Sequence, residues 1–156
     1  MAERERKGEE ELDQEWSELV EELRLTMPGV QVLFAFLLIL PFQRPFEDLS
    51  RGQEYVYFAA LLAAAVAVVL LISPAANHRL RWRKGDKDAL MRSATRSAVA
   101  ATVFIALAMT ASVFLITDVL FGLPLTAVVP SALGALFVWY WYGLPLWRRA
   151  REGGRR

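Results

Sequence analysis

Four long stretches of this 156-residue chain carry no charged side chain, and they constrain its fold more than any other feature. Residues 25–43, 55–77, 97–117 and 119–147 contain no Asp, Glu, Lys or Arg. An α-helix rises about 1.5 Å per residue, so each stretch is about long enough to cross a hydrocarbon layer ~30 Å thick. The expected fold class is therefore all-α: a four-helix transmembrane bundle with an N-terminal amphipathic cytoplasmic helix. The lipid bilayer is its first partner.

The organisation follows from where charge and apolar periodicity change. Residues 1–26 form an acidic tail and an amphipathic helix, with ten Asp or Glu against four Lys or Arg over residues 1–27. Leu12, Trp16, Leu19 and Leu23 step by four, three and four, sharing one helical face that is a candidate partner surface. Surface-lying helices that hold anionic lipid are usually basic. This one is acidic, so it is expected to pack on protein. Pro28-Gly29 is expected to break the helix or bend it into the first span. A four-span domain covers 27–147, with spans at about 27–43, 55–73, 97–121 and 125–143. The third helix is expected to run from about 88, and the second to stop at Ser73-Pro74. Ala59, Ala63 and Ala67, Ala60 and Ala64, and Ser131 and Ala135 recur at four-residue spacing that permits close helix contact. Residues 148–156 are a basic cytoplasmic tail.

Orientation follows from Lys and Arg. The N-terminal tail has four, the loop between spans two and three seven, and the C-terminal tail five. The first outer loop has two and the 3–4 hairpin none. The basic segments face the cytoplasm, so both termini are expected there, in a bacterial inner membrane. The patch Arg79, Arg81, Arg83, Lys84, Arg92 and Arg96 suits anionic lipid better than nucleic acid, because it adjoins two spans. No nucleic-acid partner is expected. With the acidic helix on the same side, attraction between them would fold that helix under the bundle as a lid.

Asp118 is the one carboxylate embedded in an apolar run. An ionised acid there is costly and is a functional candidate by default. It lies about one turn, ~6 Å, from the outer end of its span, where water, Arg44 or Arg51 could meet it. Gln31 and His78 are the other candidate polar groups, for ion or proton binding or for structure. Gln31 is more simply an interhelical hydrogen-bond partner. His78 would serve the last carbonyls of span two.

Other chemistries are poorly served. There is no cysteine and one histidine, which removes thiolate zinc sites, disulfides and His-rich metal centres. His78 and Asp118 are expected on opposite faces of the bilayer, so they cannot form a catalytic pair. No catalytic residue, metal or cofactor is expected, and the chain reads as non-enzymatic. The acidic, polar amino terminus does not read as a cleavable signal.

The stretch from Glu22-Leu23-Arg24 through Pro28-Gly29-Val30-Gln31-Val32-Leu33-Phe34-Ala35-Phe36 resembles an uncharacterised family of small four-span membrane proteins from actinobacteria. So do Pro41-Phe42, Tyr55-Val56-Tyr57, Ser73-Pro74-Ala75-Ala76-Asn77-His78-Arg79 and Thr117-Asp118-Val119. The resemblance covers most of residues 20–147. Members are sometimes labelled sodium:proton antiporter. It implies that Gln31, His78, Arg79 and Asp118 coincide with family motif positions. Met27-Pro28 stands where the family pattern has glutamine-threonine.

Two functions compete. One is a membrane scaffold or accessory subunit, partnered by another membrane protein or a second copy. The other is a cation/proton transporter acting through Asp118.

Overall fold

The computed structural model describes residues 2–81 and 87–144, with Trp147 and Arg151; side chains are described from Gln14 onward, except Pro45, 77–81 and 87–89. Four helices run alternately up and down: α1 (Ala2–Ile39), α2 (Arg51–Arg81), α3 (Lys87–Phe121) and α4 (Leu125–Val138). Two short 3-10 turns, Leu40–Phe42 and Arg44–Phe46, join α1 to α2. A π-helical turn, Trp139–Gly143, prolongs α4. Each helix, α1 and α4 together with the short turn that follows, provides a stretch long and apolar enough to cross a membrane: Gln14–Phe42, Arg51–Ala76, Leu90–Phe121 and Leu125–Gly143.

The interior alternates alanine with large apolar side chains, and many large apolar residues also cover the exterior. Along α2 the buried positions are Tyr57, Ala60, Ala64, Ala67, Leu71 and Pro74, alternating steps of three and four. Along α3 they include Ala94, Ala101, Ile105, Ala108 and Leu115, on the same spacing. A three-four alternation keeps one seam facing a neighbour along a whole helix, and alanine lets the two backbones approach closely. Val69, Val99, Leu107, Ile116 and Leu120 meanwhile point outward. No more than 28% of any membrane-length stretch is buried. An apolar exterior around an alanine seam suits a lipid surround.

The breaks expected at two prolines are corrected. The helix neither ends nor restarts at Pro28-Gly29: α1 is one α-helix through both. The reason lies in the seam. Trp16, Leu19, Leu23, Met27, Val30, Phe34 and Leu37 continue inward positions across the proline, all buried or half-buried. Leu23 and Val30 join one core cluster with Ala67, Leu71, Ala101 and Ile105. Packing on both sides outweighs the missing N–H, which orphans a carbonyl only at Arg24, near the charged end. A continuous α1 also cannot turn back beneath the bundle as a lid. Likewise α2 passes Ser73-Pro74 and continues to Arg81, with Pro74 itself in the buried seam.

The helices are unequally embedded. Among the described residues, α1 packs on α2 and α3, α2 on α3, and α4 on α3 alone. The turn into α4 is tight, with φ of 63° at Gly122, a left-handed conformation that glycine adopts without strain. Thr126, Pro130 and Gly134 lie toward α3, where a side chain at Gly134 would stand 3.8 Å from Thr110. Ser131 and Ala135, expected to make a helix contact, are exposed. They sit one residue round the helix from the inward positions.

Candidate functional site

The polar cluster at the end where α2 begins and α3 finishes is built from a helix cap upward. Ser50 precedes α2, and its hydroxyl accepts the Gln53 backbone N–H at 3.4 Å. The Gln53 side-chain oxygen accepts the Ser50 N–H in return, at 2.9 Å. This reciprocal pair is a capping box, satisfying two of the donors that a helix start leaves free. The remaining amide end of Gln53 crosses to α3 and donates to Asp118 Oδ2 at 2.7 Å.

Asp118 is therefore half-buried, bonded to a neutral partner, and held beside the N-terminal end of α2. Aligned peptide dipoles make a helix N-terminus favourable for negative charge. A hydrogen bond to an ionised acceptor is stronger than a neutral one. Together these tie α3 to α2 in place of an ion pair. Arg51 lies instead near Glu54, 3.9 Å away, in a solvated pair that contributes little. Arg44 is exposed, and among the described residues neither arginine pairs with Asp118. The Ser50-x-x-Gln53 signature was readable in the sequence; its connection to Asp118, sixty-five residues away, was not.

The other candidates do not join this cluster. Gln31 is exposed and makes no interhelical bond among the described residues, because Val30 takes the inward position and turns Gln31 about a quarter-turn away. The His78, Arg79 and Arg81 side chains lie outside the described residues, as do Arg83 and Lys84 entirely. Their helix, α2, begins at the Gln53 end and finishes at the other. Arg92 and Arg96 are exposed on α3. On α1, Leu23 is buried, Leu19 packs against its cluster and Trp16 is half-buried, so much of that face is occupied within the chain. The Leu12 side chain is outside the described residues. Among the described residues, no group of three or more His, Asp or Glu could hold a metal ion.

Mutation separates the roles of the two partners. Asp118→Asn keeps an acceptor oxygen but loses its charge, and should cost about 1 kcal/mol with assembly intact. Gln53→Leu removes both the cap bond and the tether, and should cost about 2 kcal/mol. Equilibrium unfolding in detergent checks both; a larger loss for Asp118→Asn than for Gln53→Leu would contradict this account.

The fold and this cluster define a small all-α protein with four stretches of membrane-spanning length and, at one end, an acid bonded to a helix-capping glutamine. The chain belongs to the family of unknown function DUF6328, which matches residues 5–145. No curated protein and no solved structure matches it.

Proposed function

We propose that this protein is a non-enzymatic scaffold or accessory subunit of a bacterial inner membrane, with both termini in the cytoplasm. The observation that carries the reading is the use made of Asp118. The single acid within the apolar runs accepts a 2.7 Å bond from a capping glutamine, so it serves helix association. A transporter would need that carboxylate to bind and release an ion, and such sites usually lie on broken helices near the midplane.

The partner-facing element is the acidic side of α1. With Leu19 and Leu23 turned toward the bundle, Glu15, Glu18 and Glu21 remain exposed on a helix continuous with the first span. This favours a partner with a basic cytoplasmic segment, drawn by charge complementarity. The Lys and Arg distribution supports the orientation.

Photocrosslinking from positions 18 and 21 in native membranes should trap another membrane polypeptide, and changing Glu15, Glu18 and Glu21 to lysine should abolish the product. Proteoliposomes should show no sodium- or potassium-dependent proton flux. Flux that Asp118→Asn eliminates in a correctly assembled protein, without any crosslinked partner, would overturn the scaffold reading in favour of transport.

A further inference from the structure

Because α4 packs on α3 alone, a space remains between α4 and α1. It is a groove of about 810 Å³, walled by α1 and by the Phe137–Tyr142 region and floored by α3 with Leu71 of α2. That volume lies within the ~300–1,000 Å³ usual for small-molecule sites. Most of its wall is apolar. On α3 it extends from Thr95 to Met109, about 21 Å at helical rise. One hydrocarbon leaflet is about 15 Å deep, so the groove has the length of a single lipid with part of its headgroup.

The two ends differ. At the far end are Leu33, Met109 and Phe137, all apolar. At the near end Glu22 of α1 lines the groove opposite Thr95 of α3. Arg92 precedes Thr95 by one turn and lies on the stripe of α3 that carries Val99, at the groove mouth, whereas Arg96 is turned away from the groove wall. Both arginines are exposed, and no acidic partner is found for them among the described residues. Halfway along, the Tyr142 hydroxyl meets Thr102 Oγ1 at 2.8 Å, keeping these wall groups satisfied without a ligand.

We propose that the groove between α1 and α4 seats one amine-bearing zwitterionic phospholipid of the cytoplasmic leaflet, its chains along α3, its phosphate on Arg92, and its ammonium toward Glu22. Apolar length selects an acyl chain. Guanidinium groups are suited to phosphate, and a carboxylate at the same mouth favours a headgroup carrying both signs over a purely anionic one. The proposal rests on the membrane setting and orientation but not on a protein partner.

Gly29 supplies a clean test, since it lines the groove and a Cβ there would meet nothing within 4 Å. Gly29→Phe should therefore fill the space without disturbing the core. The purified full chain would be titrated with phosphatidylethanolamine or phosphatidylglycerol and read by native mass spectrometry, with detergent unfolding confirming that each variant is assembled. Wild type should take one phosphatidylethanolamine in preference to phosphatidylglycerol. Gly29→Phe should abolish that binding, and Arg92→Gln should weaken it about tenfold or more. Glu22→Gln should remove the headgroup preference while retaining a bound lipid. Equal binding by wild type and Gly29→Phe, or no headgroup preference in wild type, would overturn the proposal. So would a groove in which Gly29→Phe blocks protein crosslinking yet leaves bound lipid unchanged.

Discussion

Ala64→Leu should be among the most damaging single substitutions in this chain, costing about 3 kcal/mol or more and separating α2 from α3. Ala64 is fully buried, and Ala60, Ala67, Ala101 and Ala108 are each at most 1% exposed. The two helices meet through methyl groups, so an isobutyl side chain has no volume to enter. It must displace a backbone. Ala59→Leu is the matched control: it adds the same atoms five residues earlier, on an exposed face, and should stay within about 0.5 kcal/mol of wild type. Unfolding of both variants in the same detergent gives the comparison. Equal losses would show that helix propensity or micelle properties, rather than close packing, set the stability.

Tyr57→Phe should follow, with a loss of about 1–2 kcal/mol from one oxygen atom. The Tyr57 hydroxyl donates to the Leu37 carbonyl at 2.8 Å. That carbonyl needs an external donor because residue 41, which would normally serve it, is proline and has no N–H. Tyr57 is 5% exposed, and its ring meets Phe46 edge-on at 4.9 Å, fixing the hydroxyl's aim. Without water nearby, the unmatched carbonyl retains its desolvation cost. The diagnostic is a double-mutant cycle. In a Pro41→Ala background the new N–H can replace the phenol, so Tyr57→Phe should cost clearly less than it does alone. Strict additivity would mean that the two residues do not share this carbonyl.

The spans and the helical class were legible because charge is excluded from hydrocarbon over a length that composition alone displays. Finer features were legible only in part. Alanines at four-residue spacing in α2 suggested two separate small faces, whereas the observed seam takes Ala60 and Ala64 from one and Ala67 from the other. A helix of 3.6 residues per turn keeps its contact by alternating three and four, and a strict four-residue pattern drifts off the interface. Pro28 and Pro74 looked like boundaries because local propensity disfavours them. Tertiary burial of Leu23 and Val30, and of Pro74 itself, carried the helices through. The same periodicity applied across Pro28 would have revealed the continuous seam.

Asp118 was visible as an anomaly, but its partner was not. Arg44 and Arg51 were attractive on charge alone, yet position decided. Gln53 stands on the first turn of α2, where its amide can serve the cap with one end and α3 with the other. Such a two-ended role depends on how helices register against each other, and that information is distributed over the interface. The groove beside α4 was hidden for the same reason: it arises from which helices fail to meet.

The unequal embedding of the four helices also bears on biosynthesis. Each contact joins helices adjacent in the chain, except the closure of α1 onto α3. As the polypeptide emerges, α1 and α2 can associate before α3 arrives, α3 completes a three-helix unit, and α4 adds to an already finished surface. No helix must wait for one made much later. Assembly can keep pace with the ribosome, and the last of these four helices to emerge is also the one whose position the other three do not depend on.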